Sequence, residues 1–459
     1  MKRIKENDNL TMLPIILALA WPTMLEQLMH TAVQYIDTAM VGTLGTQATA
    51  AVGATSTVNW LIGSTISAIS VGFLAYIAQS IGAGHEQQAK KAAGQAVIAV
   101  LIVGIFFTVL TVGVSSKVPV WMRVDVAIQE MAARYFLVLY LPMLFRCASI
   151  IFGTLLRAVG DTKTPMWVGG AVNLINIVLN FFLIYPTRMI DVGEKVWRIP
   201  GAGLGIEGAA LASAIAYTSG GIAITYKLWR HKQISPRGQS LRPDWNVLKP
   251  CLRIAFPNML QRFATSLGYV AFASMINSLG GIATAAHTIA NTVESAFYIP
   301  GWGMQTAAAT LAGNAWGAMD KDRLQRLARV ILFLEVGLMV VSGGLLFIFA
   351  PQLVMLFSKD QEVITLGTTV LKMVAISEPF YGVPIVIEGM MQGIGKTVAP
   401  FIYNVVGMWG ARILGTFVCT QMLGFGLISA WGCMIAHNML LFVLFAVQYA
   451  SGKWKAQSV

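Results

Sequence analysis

The chain has 459 residues, of which 56% are hydrophobic and only 11% charged, with 32 Lys plus Arg against 20 Asp plus Glu. Soluble domains carry about a quarter charged residues, so this composition excludes an ordinary soluble globular protein. A basic excess this sparse, threaded between apolar runs, points to membrane topology and away from nucleic acid as a partner.

In chain order, the basic start MKRIKENDNL leads into an apolar segment that contains Glu26 and Asp37. That segment is too long and too acidic for the core of a cleavable signal peptide, so it is expected to stay as a first span. Crossing a bilayer takes about 20 apolar residues, and twelve such stretches lie between polar, Gly or Pro breaks. They run approximately 13–42, 53–80, 93–116, 131–157, 166–186, 205–228, 251–279, 288–315, 327–349, 363–392, 400–423 and 426–450. The predicted fold class is therefore an all-α polytopic membrane protein, with residues 1–228 and 251–459 as two lobes and 229–250 as a linker.

If both termini share one side, the connections on that side hold 21 cations, among them Lys2, Arg3, Lys5, Arg157 and the basic runs of 227–253 and 321–329. The other side holds eight, including Arg123, Arg134 and Arg188, and three cations, Arg146, Arg262 and Arg412, fall inside spans. The positive-inside bias then predicts cytoplasmic termini and a cytoplasmic linker, for a multi-pass protein of the plasma membrane, the inner membrane of the cell. Lipids are its surroundings, and a monomer is the expected form. Cys147, Cys251, Cys419 and Cys433 lie singly in or beside apolar stretches, without metal-ligand spacing, and read as packing residues.

The sequence is written twice. A shift of 235 residues puts Pro22, Met24, Leu25 and Met40 on Pro257, Met259, Leu260 and Met275, and the run from Ala48 to Ala51 on Ala283 to Ala286. The same shift carries Gly82-Ala83 onto Gly317-Ala318, Gly160 onto Gly395 and Pro165 onto Pro400. Such a shared offset indicates duplication. With six spans in each half the copies have the same membrane orientation, which predicts two pseudo-symmetric six-helix lobes suited to alternating access around a central site.

An intramembrane carboxylate costs roughly 2.5–3.5 kcal/mol on insertion scales, so Glu26, Asp37, Glu294, Glu335, Glu378 and Glu388 are functional candidates. At about 100° per residue, Glu26, His30, Gln34 and Asp37 project at about 0°, 40°, 80° and 20°, a single polar stripe that must face protein or water. Asn173, Asn176 and Asn180 share a second stripe on the fifth span. Glu378 sits beside Pro379 in a span interrupted again at Pro384, the kind of irregular helix that lines a cavity. An alternative role for Glu294 and Glu378 is a structural ion pair with Arg262 or Arg412. Glu388, near the GIGKT loop, suits a mouth-lining position, and Glu335 suits an internal partner for a cation of 321–329.

The repeated residues also resemble a known family. WPTMLEQLMHTAVQYIDTAMVGTLGTQATAAVG and FPNMLQRFATSLGYVAFASMINSLGGIATAAH are similar to the paired first and seventh helices of multidrug and toxic compound extrusion (MATE) transporters, in their bacterial NorM- and DinF-like forms. AQSIGAG (78–84), GNAWGAMDKDR (313–323), LLRAVGDTKTP (155–165), MMQGIGKTVAP (390–400) and NLINIVLN (173–180) extend the resemblance over nearly the whole chain. It implies export of small organic, often cationic, compounds by antiport against H⁺ or Na⁺, with no other cofactor. The same superfamily includes flippases for lipid-linked cell-envelope precursors, which is the alternative reading. The family's cation-coupling cluster carries over to Asp37, Asn176 and Asn180, with Glu26 beside them on the stripe. A weak Na⁺ site at Asp37, Asn176 and Asn180 is the one metal site expected. Many relatives have Asp where Asn180 stands, and the acids that NorM-like relatives carry on helices seven and ten align with Thr265 and Tyr381. His30, Gln34, Glu294, Glu378, Tyr381 and Glu388 are left as candidates for the substrate cavity.

Two signals are rejected. Gly395-Lys396-Thr397 mimics the end of a phosphate-binding loop, but Met390 stands where its first Gly is required, so no nucleotide is expected. There is no HExxH or GxSxG and the five histidines are scattered, so no enzyme is expected either.

Overall fold

The computed structural model describes residues 9–121, 125–192 and 195–455. Lys2, Arg3, Lys5 and Arg123, four of the cations used for the topology, lie outside the described residues.

Span 1 is Asn9–Gly42, span 2 Thr46–Gly82, span 3 Glu86–Val114, span 5 Lys163–Leu183 and span 6 Gly205–Arg230. Span 4 is a bent pair, Val126–Tyr140 and Met143–Ala158, turning 50° where Pro142 has no amide to continue the ladder. In the second half, span 7 is Trp245–Asn277, span 8 the pair Gly281–Phe297 and Ile299–Gly317, span 9 Lys321–Met355 and span 10 Gln361–Gly393. Span 11 is Val398–Met422 and span 12 Leu427–Ala450. The repeat survives in the helix ends: Gly42, Gly82 and Ala158 close their helices at the same offset before Asn277, Gly317 and Gly393.

Among the described residues, nine helices are each long and apolar enough to cross a bilayer, and the bent span 4 makes a tenth. Spans 7 and 8 fall short on their own. Span 7 carries Lys249, Arg253, Gln261 and Arg262, and span 8, expected as one helix over 288–315, starts at Gly281 and is divided at Tyr298. Their repeat partners, spans 1 and 2, identify them as membrane elements. Spans 3 and 9 present exposed apolar faces, Ile102, Ile105 and Phe106 on one and Phe333, Val340 and Val341 on the other. Faces of this kind on two long helices are what hydrocarbon covers.

Two features depart from uniform helix. Between spans 5 and 6, Pro186–Val192 and Lys195–Ala202 pair antiparallel, with Met189 opposite Arg198 and Ile190 opposite Trp197, a small hairpin that an all-α expectation omits. Its β-branched and aromatic residues alternate over too few positions to stand out beside the spans. Span 11 widens into i→i+5 turns over Val406–Leu414 and Phe417–Met422, a local geometry often found at functional positions.

The chain packs as two compact units whose borders differ from those of the repeat. One is Leu25–Phe73 with Glu86–Leu248, and the other is Met1–Met24, Leu74–His85 and Lys249–Val459. In the first, Val41, Ala48, Ala51 and Ile128 pack with Ile184, Ile206 and Ala209. The second contains the early part of span 1 and the last turns of span 2, held by backbone crossings at glycine. A Cβ on Gly82 would lie 2.0 Å from the Asn314 carbonyl oxygen, and one on Gly317 would lie 1.9 Å from that of Gln79. Gly82 and Gly317 are repeat partners, as are Gln79 and Asn314, so the crossing has the symmetry of the duplication.

Candidate functional site

Spans 1, 5 and 6 bring a carboxylate and three neutral polar groups together. Asn176 and Asn180 are four residues apart, hence on one helical face, and both are buried. Asn180 Nδ2 donates to Asp37 Oδ1 at 2.6 Å and to Asn176 Oδ1 at 3.2 Å. Turned about its amide plane, Asn176 gives up the bond from Asn180 and instead donates to Asp37 Oδ1 and Oδ2 at 2.8 and 3.1 Å and accepts from Ser213 Oγ at 2.9 Å, which satisfies acid and hydroxyl together. Asn180 Oδ1 is buried without a donor. The half-buried Asp37 thus accepts from amide donors, and the Asn180 amide whose nitrogen reaches it has an unpaired carbonyl oxygen at its other end. Ser213 was not singled out in the sequence, because one Ser in the alanine-rich AALASAIA of span 6 carries no pattern.

His30 and Gln34 are exposed on the same stripe, but Glu26 is not part of the Asp37 cluster. Both Glu26 carboxylate oxygens accept from Arg157 Nη2 at 2.6 Å, in a partly buried ion pair with side chains 24% and 18% exposed. Eleven residues separate Glu26 from Asp37, about 16 Å along a helix, so a shared angular stripe does not make a shared site. Arg157, counted with the loop cations, points back along span 4 to reach it.

The second half holds a counterpart. Gln261, Gln392 and Asn404 stand at the repeat positions of Glu26, Arg157 and Gly169. Gln261 and Gln392 donate to Glu388 Oε1 at 2.8 and 3.0 Å, and Asn404 donates to Oε2 at 3.1 Å. Glu388 is buried, so the expected mouth-lining position is corrected: it is the centre of an amide cradle joining spans 7, 10 and 11. The same place in the fold is an ion pair in one half and an amide-bound carboxylate in the other.

Glu294 and Glu378, candidates for the substrate cavity, are 3% and 0% exposed, so neither side chain faces open space in this structure. Glu294 accepts from Tyr298, at the break in span 8, and the half-buried Tyr381 ring lies 5.1 Å from that of Tyr298. Glu335 is fully buried and both its oxygens lack a partner, so it is not the internal partner of a cation in 321–329. Among the described residues, Arg262 and Arg412 form no ion pair with Glu294 or Glu378; the ion pairs are those of Arg134 with Glu130 and Glu207 and of Arg157 with Glu26. Arg412 lies over the rings of Tyr269 and Phe272 at 5.0 and 4.6 Å, and Arg146 over Tyr217 and Tyr140 at 5.0 and 5.6 Å. Aromatic faces, which attract cations, take the place of the expected acids. No three His, Cys, Asp or Glu side chains among the described residues converge to hold a metal ion.

The sequence pattern that defines the MatE family matches residues 22–182 and again 257–418. The chain belongs to the MATE transporter family. The two matched segments begin at the repeat offset, so the family pattern is itself present twice. A probable multidrug resistance protein NorM of Thermotoga maritima is 28% identical over 444 residues, covering 97% of this chain and 93% of that protein. The probable multidrug resistance protein YoeA of Bacillus subtilis is 25% identical, covering 95% and 93%. Among solved structures, a MOP superfamily transporter from Pyrococcus furiosus superposes with a TM-score of 0.87 at 22% identity over 96% of each chain. A MATE solved in complex with MaD3S superposes with a TM-score of 0.86 at 22% identity over 95% of each chain. The likeness fixes the fold as that of MATE transporters, twelve helices in two lobes.

Proposed function

We propose that this MATE transporter exports small organic, chiefly cationic, compounds across the plasma membrane by antiport against H⁺ or Na⁺, as a monomer with both termini in the cytoplasm. The observation that carries the reading is the cluster of Asp37, Asn176 and Asn180 on two membrane spans. The ionised carboxylate is held by amide donors while Asn180 Oδ1 has none. A proton or a sodium ion on Asp37 competes with the Asn180 Nδ2 donor for the carboxylate oxygen, and an amide turned end for end would present its carbonyl oxygen to the new proton or cation instead. Loading and unloading therefore change which hydrogen bonds tie span 1 to span 5, and alternating access needs such a change. The names of relatives as probable multidrug resistance proteins support the substrate class. The flippase alternative called for arginines lining a central cavity, and Arg146 and Arg412 instead rest on aromatic rings.

Gradient-driven efflux of a cationic dye from vesicles tests the reading. Asp37→Asn is expected to abolish efflux with expression unchanged, and wild-type efflux in that variant would remove Asp37 from the mechanism.

A further inference from the structure

The connections that follow spans 8, 10 and 12 meet in one place. After span 12 the chain turns at Gly452, whose φ of +67° suits a residue without a Cβ, and a short turn over Lys453–Lys455 folds back. Trp454 anchors that turn. It is 1% exposed, its ring stacks on that of Tyr449 at 5.5 Å, and its Nε1 donates to the Tyr449 carbonyl oxygen at 3.2 Å. Its burial places the two flanking lysines. Lys455 Nζ donates to Gln325 Oε1 on span 9 at 2.6 Å, and the Lys453 carbonyl oxygen accepts from Lys396 Nζ, after span 10, at 3.0 Å. Lys396 also lies 5.5 Å over the ring of Trp316, at the end of span 8.

Lys321, Gln325 and Arg329 follow one another at four-residue steps on span 9, so Lys321 and Arg329 flank the point where Lys455 docks. Arg326 stands beside them with its Nε buried and without a hydrogen-bond partner. Among the described residues, Lys321, Arg326, Arg329, Lys453 and Lys455 enter no ion pair. Over 316–329, 392–400 and 449–455 the only acids are Asp320 and Asp322, against seven Lys and Arg. Asp320 is engaged at the start of span 9, where it accepts from the Arg323 backbone amide at 2.8 Å.

A positive-inside bias acts on one side of the membrane, not on one half of the chain. The repeat shift nevertheless puts Lys321, Arg329 and Lys396 on Glu86, Gly94 and Asp161, and only Arg326 falls on a cation, Lys91. The patch is therefore particular to the second half. Its surroundings are those of an amphiphile: one turn beyond Arg329 comes Phe333, 81% exposed, and then Val340, 53% exposed on the same face. Arg329 to Val340 covers about 16 Å of helix, about half of the hydrocarbon core. A free phosphate would use the cations and leave that apolar face idle.

We propose that this junction binds the headgroup of an anionic phospholipid, with its phosphate held by Arg326, Arg329 and Lys455 and its acyl chains laid along Phe333 and Val340. The lipid would tie the ends of spans 9 and 12 together through Lys455.

Thermal unfolding of the delipidated full-length protein in detergent, titrated with phosphatidylglycerol or with phosphatidylcholine, tests it. Phosphatidylglycerol is expected to raise the wild-type melting temperature more than phosphatidylcholine does, and native mass spectrometry to show it retained. Each cation removed should weaken phosphatidylglycerol binding about fivefold, so Arg326→Gln/Arg329→Gln/Lys455→Gln should lose the preference. Should the triple variant not fold, Arg329→Gln alone, at an exposed position, reads the single step. Lys90→Gln/Lys91→Gln, at the repeat positions of Gln325 and Arg326, controls for general charge and should keep the preference. A triple variant that responds like the wild type, an equal loss in the Lys90/Lys91 control, or a shift of the same size from inorganic phosphate overturns the proposal. The assay imposes no gradient and has no sidedness, so its failure leaves the antiport reading standing.

Discussion

Glu388 offers a quantitative test of how the second half is held together. Glu388→Ala removes the acceptor of Gln261 and Gln392, each only 5% exposed, whereas Asn404 keeps its bond to the Pro400 carbonyl at 2.9 Å. Leaving a buried donor unsatisfied costs about 1–3 kcal/mol, so two orphaned amides predict a loss of about 2–6 kcal/mol before any cavity term. Glu388→Gln keeps a carbonyl oxygen for Gln261 and Gln392 and sets one donor against Asn404, which can turn its amide, for a loss of about 1–3 kcal/mol. Thermal unfolding of the detergent-purified variants, followed by tryptophan fluorescence, should rank wild type above Glu388→Gln and Glu388→Gln well above Glu388→Ala. An Ala variant as stable as wild type would show that the cradle does not hold spans 7, 10 and 11. Equal losses in the two variants would show that charge, and not the count of acceptors, sets its strength.

The repeat-related node gives a second expectation: Glu26→Gln and Arg157→Gln should each destabilise by about 1–3 kcal/mol, between the values for exposed and fully buried pairs. The double variant should lose less than the sum, read by a thermal double-mutant cycle. Gly317→Ala forces a methyl against the Gln79 carbonyl and should cost about 1–3 kcal/mol or more, whereas Gly337→Ala, with open space around it, should leave the melting temperature unchanged or raised. Cys419 and Cys433 have their sulfurs 3.9 Å apart, against about 2.05 Å in a disulfide. A mild oxidant should therefore block alkylation of that pair while Cys147 and Cys251 stay reduced, and mass spectrometry reads the result.

The duplication was legible because it is a property of order along the chain, and helix ends and family matches fall at the same offset. The juxtaposition of Asp37 with Asn176 and Asn180 followed from helical periodicity together with the family resemblance. Angular projection contains no axial term, so it groups Glu26 with Asp37, and Arg157, at the very end of its span, reads as a loop cation although it pairs with Glu26. The amide cradle was within reach, since Gln261 and Gln392 are the repeat partners of Glu26 and Arg157, but polar neutral residues are invisible to a search for charge. Glu335 stands six or more residues from the cations of 321–329, at least about 9 Å along the helix, and packing against Gly301 and Gly382 turns it inward. The hairpin after span 5 and the wide turns of span 11 leave no short-range signature among such strong apolar periodicities.

Efflux of a cationic dye from proteoliposomes under an imposed pH gradient or an imposed Na⁺ gradient, each alone, comparing wild type with Asp37→Asn, tests the central claim most directly. Wild-type efflux driven by one of the two gradients and lost in Asp37→Asn is the expected result. Efflux that needs neither gradient, or that persists unchanged without the Asp37 carboxylate, would contradict cation antiport through this cluster.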